Sequence, residues 1–154
     1  LLLLFVGLKL ESRYGWLTTA LERYVFAAVP APTLCLWGLA YKKGTDSLHN
    51  AHCLKIFRDY GARAKIRAFD PIAKLPGTIT GVQTFSDKFS ALGGSDALII
   101  LTEWDEFRCH DPRPFLERMQ RPVIIDCVHM LEARVREDPS ITYVAMGVPV
   151  TPRP

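Results

Sequence analysis

From about residue 33 onward, short runs of consecutive apolar residues alternate with stretches in which apolar positions recur every three or four residues. A continuous apolar run suits a strand covered on both faces, whereas the three-to-four spacing suits an amphipathic helix. On that basis Leu34–Leu39, Lys65–Phe69, Val82–Phe85, Ala97–Leu101 and Pro122–Asp126 are expected to be strands, with a last one at Tyr143–Met146. Helices are expected over Leu48–Tyr60, where Leu48, Ala51, Leu54 and Phe57 share one side, and over Asp87–Leu92 and Pro114–Met119. Gly61 stands where a helix C-cap belongs. Ahead of this series Trp16, Leu17, Ala20, Leu21, Tyr24 and Val25 have helical spacing and predict an amphipathic helix that packs on a partner. Pro30-Ala31-Pro32 stops that helix, because proline cannot continue one. The chain therefore divides into a helical segment, residues 1–32, and a domain over 33–154.

The alternation of strand and helix along the chain implies right-handed crossovers and an α/β fold, a mostly parallel sheet with helices on both sides. Ligands in such folds sit beyond the C-terminal ends of the strands, so the residues after Leu39, Phe69, Leu101 and Ile125 are where chemistry is sought. With 49% hydrophobic and 23% charged residues, the chain can build a core and is not expected to be disordered, apart from the tail Pro149–Pro154 with its three prolines. Lys and Arg exceed Asp and Glu by only 19 to 16 and are scattered, which argues against nucleic acid. The cysteines Cys35, Cys53, Cys109 and Cys127 form no CxxC pair and have no histidine at ligand spacing. They read as free thiols of a cytoplasmic protein, with no metal site. The apolar start Leu1–Gly7 lacks a basic flank and a cleavage site and is too short to span a bilayer, so no membrane partner is expected. With no initiator Met, the N-terminus is taken as cut from something longer.

Two strand ends carry candidate chemistry. Gly38-Leu39-Ala40-Tyr41-Lys42-Lys43-Gly44-Thr45-Asp46 is not a dinucleotide fingerprint, and no G-x-G-x-x-G occurs in the chain. It does hold the parts of an anion site. Gly38 permits close approach, Tyr41 offers a flat face for a base, Lys42 a charge, and Asp46 or Ser47 an N-cap for the following helix. A solvated loop with an ordinary cap is the competing reading. After the most buried strand comes Thr102-Glu103-Trp104-Asp105-Glu106-Phe107, which reads first as an N-cap with Trp104 and Phe107 packing the strand end, its acids having no partner elsewhere for acid/base work. Gly93-Gly94-Ser95 precedes a strand and is a plain turn. His49, His52, His110 and His129 share no spacing and read as surface or capping residues.

Four stretches in register resemble the C-terminal UDP-binding domain of the UDP-glucose/GDP-mannose dehydrogenase family. Gly38–Asp46 is similar to G-L-A-F-K-x-x-T-D, and Tyr60-Gly61-Ala62 with Phe69-Asp70-Pro71 to G-A-x-V…Y-D-P. Ser95–Phe107 is similar to A-D-A-L-V-I-L-T-E-W-x-E-F, and Pro122–Asp126 to P-V-V-I-D. The resemblance covers residues 33 to about 147. It implies a Rossmann-like three-layer sandwich preceded by an N-terminal helix, the remnant of a central dimerisation region. It also implies a UDP-sugar partner, oxidised from UDP-glucose to UDP-glucuronate by NAD in the full enzyme, with NAD-binding and central domains in cis or trans and a homo-oligomeric assembly. Carried over residue by residue, it gives Gly38, Tyr41, Lys42 and Trp104 to substrate, and Thr45, Asp46 and His49 to the cofactor side.

Some family features are replaced. The family's catalytic cysteine lies in a G-G-S-C motif, whereas Gly93-Gly94-Ser95-Asp96 only shares letters with it, so no catalytic residue is assigned and no NAD is expected to bind this chain alone. His49 stands where the family has an arginine toward the cofactor phosphates, and Val128 where it has one toward substrate. A charge-assisted hydrogen bond contributes about 1.5–3 kcal/mol, so binding ten- to a hundred-fold weaker than in a standard member, or absent, is expected. The alternative from another class is a non-catalytic interaction or oligomerisation module that keeps the fold and docks through an exposed N-terminal helix.

Overall fold

The computed structural model describes residues 13–150. The apolar start Leu1–Gly7 and the end of the proline-bearing tail lie outside the described residues. Helix α1 runs over residues 13–21 and continues as a π-helical turn, Glu22–Phe26. It is followed by β1 (Thr33–Trp37), α2 (His52–Tyr60), β2 (Lys65–Phe69), β3 (Val82–Thr84), α3 (Lys88–Leu92) and β4 (Ala97–Ile100). A 3₁₀ turn, Asp105–Phe107, leads to α4 (Arg113–Arg118), β5 (Val123–Asp126), α5 (Ala133–Arg136) and β6 (Thr142–Val144).

The strands form one six-stranded sheet in the order β3-β2-β1-β4-β5-β6, and every pairing is parallel. Side chains alternate across it, and each face has its own core. Leu34, Leu36, Ile66, Ala68, Ala97, Ile99, Val123 and Ile125 face the layer that holds α1 and α2. Cys35, Trp37, Phe69, Leu98, Ile100 and Ile124 face the other, with residues of α3, α4 and α5. The result is the expected three-layer α/β sandwich. On the second face, fully buried Trp37 stacks on Phe107 at 5.3 Å between ring centres and donates its indole N–H to the Lys88 carbonyl at 3.0 Å. At the N-terminal edge Asp96 accepts the Thr33 N–H at 2.8 Å and ties β4 to β1.

Register sets the geometry of the opposite edge. Trp37 lies level with Phe69 and with Ile100, and Ile100 with Asp126. The four strands end together, so the segments beginning at Gly38, Asp70, Leu101 and Cys127 leave the sheet side by side.

Three expectations change. The helix expected from Leu48 begins at His52, because Asn50 is left-handed (φ 57°) and interrupts the regular turns. Its N-cap is Ala51 with no capping side chain, so neither Asp46 nor Ser47 caps it. The apolar side of α1 is not an exposed docking face, since Leu17, Ala20, Leu21 and Val25 are buried in the first core. Phe26 stacks on Tyr60 at 5.1 Å, and Arg63 clamps Glu22 at 2.7 Å from across the interface. The observation that favoured an interaction module is thereby removed for residues 13–26. Gly61 does end α2, but its φ is an ordinary −58°; a Cβ there would sit 2.5 Å from the Phe57 carbonyl oxygen.

Because α1 shares the core, Leu21→Ala is expected to lower the unfolding free energy by about 2–5 kcal/mol. Urea unfolding followed by circular dichroism measures this, and a loss below about 0.5 kcal/mol, the scale of a surface change, would show that α1 is not part of the cooperative unit.

Candidate functional site

Strand order reverses between β1 and β4, and there the loops after the two strands meet. Gly38 has φ +102°, and a Cβ on it would lie 2.4 Å from Thr102 Oγ1 and 2.7 Å from the Thr102 nitrogen. Only glycine fits. The close approach that Gly38 permits is therefore to the neighbouring loop. Thr102 does not cap the 3₁₀ turn; its buried hydroxyl donates to the Ala40 carbonyl at 2.8 Å.

The next two residues are held on every backbone polar group. Asp70 Oδ2 accepts the Leu39 N–H at 2.8 Å and the Ala40 N–H at 3.0 Å. The Leu39 carbonyl accepts the Cys53 thiol at 3.3 Å from α2, and the Ala40 carbonyl accepts Thr102. Gly38 N–H donates to the Phe69 carbonyl at 2.8 Å. Asp70 Oδ2 also accepts the Trp104 indole N–H at 3.2 Å, while Oδ1 accepts the Ile72 and Ala73 N–H groups at 2.8 and 2.7 Å. The loops after β1, β2 and β4 thus converge on one carboxylate. Sequence reasoning placed Asp70 as a strand end before proline and within the stretch similar to Y-D-P, with no role assigned. The signal was present, since an acid just past the C-terminal end of a strand faces the loops of both neighbours, but the partners lie 30 or more positions away in the chain.

From this seat Tyr41 and Lys42 emerge into solvent, with Tyr41 58% exposed. Tyr41 N–H closes the loop onto the Ser47 carbonyl at 2.8 Å. Thr45 Oγ1 accepts the Ser47 N–H at 3.1 Å, and Ser47 Oγ the His49 N–H at 3.3 Å. Gly38, Tyr41, Lys42 and Trp104 are brought to one place, with Trp104 half-buried behind the seat. Asp46 and His49 lie farther out on the exposed loop. A cavity of about 520 Å³ opens beside the seat, lined by Leu39, Asp70, Ile72, Leu75, Val82 and Phe85 among others, and no sequence-predicted site residue lines it.

The β5 end is built in a similar way. Buried Asp126 accepts Val128 N–H at 3.2 Å, Met130 N–H at 2.8 Å, Leu131 N–H at 3.1 Å and the Tyr143 hydroxyl at 2.8 Å. Val128 is half-buried against the second core and brings no charge to this edge. Burial pushes the Cys53 thiol up to about 12, and burial followed by the Asp126 charge pushes Cys127 up to about 12. Both are neutral thiols near pH 7 and poor nucleophiles. All four cysteines are free. Burial and neighbouring Lys55 and Arg13 lower the pKa of His52, which favours the neutral ring.

An all-parallel sheet in this order, with a glycine-opened loop at its switch point, defines a Rossmann-like α/β domain. The chain belongs to the UDP-glucose/GDP-mannose dehydrogenase family, whose UDP binding domain matches residues 35–133. It is 31% identical to the UDP-glucose 6-dehydrogenase of Pseudomonas aeruginosa over 76% of this chain. It is 30% identical to the UDP-glucose 6-dehydrogenase TuaD of Bacillus subtilis over 81%. In both cases it spans 28% of the relative's length. Among solved structures, the UDP-D-ManNAc dehydrogenase of Pyrococcus horikoshii superposes with a TM-score of 0.65 at 25% identity, over 88% of this chain and 30% of that one. No helix among the described residues is long and apolar enough to cross a membrane.

The Gly38–Thr102 contact makes a direct stability test. Gly38→Ala combines an unfavourable positive φ with a clash against backbone and side chain, and is expected to destabilise by about 2–4 kcal/mol. Thermal unfolding reads this as a fall in Tm, and an unchanged Tm would show that the two loops can part freely.

Proposed function

We propose that this domain holds the nucleotide end of a UDP-sugar for an NAD-dependent nucleotide-sugar dehydrogenase, one that oxidises UDP-glucose to UDP-glucuronate. The observation that supports the reading is the pairing of a fixed seat with unengaged side chains. Leu39 and Ala40 are bonded on all four backbone groups, yet Tyr41 and Lys42, which follow them, are exposed. Among the described residues the Lys42 ammonium has no carboxylate or hydrogen-bond partner. In this reading the Tyr41 ring lies against the base, and Lys42 reaches the diphosphate or a sugar oxygen. Gly38 lets the loop turn, and Trp104 backs it.

The chemistry belongs to other parts of the protein. NAD accepts hydride when bound, and we assign it to an upstream domain, in cis or in trans, beyond a central helical region whose end is residues 1–32. The family resemblance gives Thr45, Asp46 and His49 to the cofactor side, but they do not by themselves fit its diphosphate. Asp46 is an exposed carboxylate that repels a diphosphate, and residues 44–49 hold no lysine or arginine to offset it. No catalytic step is therefore assigned to this chain. Assembly as a homo-oligomer and a cytoplasmic setting, in keeping with four free thiols, complete the proposal.

Calorimetric titration with UDP-glucose tests it. Micromolar-range binding is expected, weakened at least about tenfold by Lys42→Ala, equivalent to about 1.4 kcal/mol, with UDP retaining most of the affinity and GDP-mannose less. Absence of heat at millimolar UDP-glucose would overturn the reading.

A further inference from the structure

We infer that Asp70 is a positioning residue for the nucleotide site, an inference that rests on the reading of Tyr41 and Lys42 just given. Its carboxylate touches neither side chain. It acts on the two peptides before them and, through the Trp104 indole, on the loop behind them.

The bonding pattern requires an anion with all its acceptor sites free. The five groups directed at Asp70 are the N–H groups of Leu39, Ala40, Ile72 and Ala73 and the indole N–H of Trp104, and every one is a donor. Three converge on Oδ2 and two on Oδ1. An amide in place of the carboxylate would turn an NH₂ donor toward one of the two groups whichever way it was oriented. If it faced the Oδ2 group, Leu39, Ala40 and Trp104 would lose their common acceptor and the seat could shift. If it faced the Oδ1 group, the 71–73 turn would open and move the carboxamide itself. No other side chain bonds the Leu39 and Ala40 N–H groups. On the carbonyl side Cys53 and Thr102 hold the same two residues, so the peptide orientation that launches Tyr41 is set by three side chains from three elements. A ligand that bonds Tyr41 and Lys42 therefore meets them already oriented, and the ordering of that loop is not charged against binding.

Asp70→Asn is the test, with Asp96→Asn as control. Asp96 also accepts a backbone N–H near a strand end, but at the opposite edge of the sheet. Both proteins are titrated with UDP-glucose at a temperature where circular dichroism shows them folded, and their indole N–H signals are followed by ¹H–¹⁵N NMR without ligand. The expected result is a Kd raised at least about tenfold in Asp70→Asn and unchanged in Asp96→Asn, with the Trp104 indole signal moved in Asp70→Asn alone. Equal Kd values for wild type and a folded Asp70→Asn would overturn the inference, as would equal losses in the two variants. Should Asp70→Asn fail to fold, Thr102→Val releases the same peptides from the carbonyl side and is expected to weaken binding about three- to tenfold; unaltered binding would count against the inference. Failure of the underlying reading looks different, because wild type itself would then not bind while the indole shift in Asp70→Asn would still be seen.

Discussion

Everything at the ligand edge of this domain depends on loops from separate strands being held at one height, and the carboxylate of Asp70 is what holds them. The parallel register brings β1, β2 and β4 to a common end, and the Gly38 and Leu101 N–H groups still reach the Phe69 and Trp37 carbonyls, but the peptides of Leu39 and Ala40 beyond them have no ladder partners. A buried or half-buried N–H with no acceptor is expensive, and here the N–H groups of three loops find the same acceptor. Gly38 and Thr102 close the remaining gap from the carbonyl side. Asp126 repeats the device at the end of β5. The edge is thus organised by two acids whose carboxylates gather N–H and O–H donors from the loops around them.

This division bears on function. A domain whose exposed cation and aromatic ring rise from a fixed backbone is suited to hold a ligand, and its thiols, raised by burial, are unsuited to attack one. The proposed division of labour follows from that contrast: the nucleotide is gripped here, while hydride acceptance and the nucleophile lie in parts of the protein beyond this chain. The charge balance of the site is also thinner than the family resemblance implies, since Val128 packs into the core and His49 sits on an open loop. Lys42 and its neighbour Lys43 remain as the exposed cations of the seat.

The strands were legible because a doubly covered strand must be apolar throughout, and β2 was placed to the residue. The others differed by one or two residues at their ends; at β1 the last apolar residue, Leu39, serves a loop instead of the ladder. The start of α2 was not legible, because Asn50 adopts a left-handed conformation and interrupts an otherwise helical pattern. The short α5 and the 3₁₀ turn carry too few residues for a period to show. Of the site, Gly38, Tyr41, Lys42 and Trp104 could be read from position and residue type. The roles of Asp70 and Thr102 could not, because each depends on partners brought close only by the fold. The helix α1 showed its apolar stripe plainly, but a stripe says that something is covered without saying by what, and here the domain's own sheet covers it.

The most direct test of the account is titration of the ¹⁵N-labelled chain with UDP-glucose, followed residue by residue. Shifts are expected to concentrate at residues 38–49 and at the Trp104 indole and to saturate together, with little change along the 71–79 loop that walls the neighbouring cavity. Shifts concentrated at 71–79 would place the ligand in that cavity and contradict the account, and a spectrum unmoved at millimolar ligand would contradict it altogether.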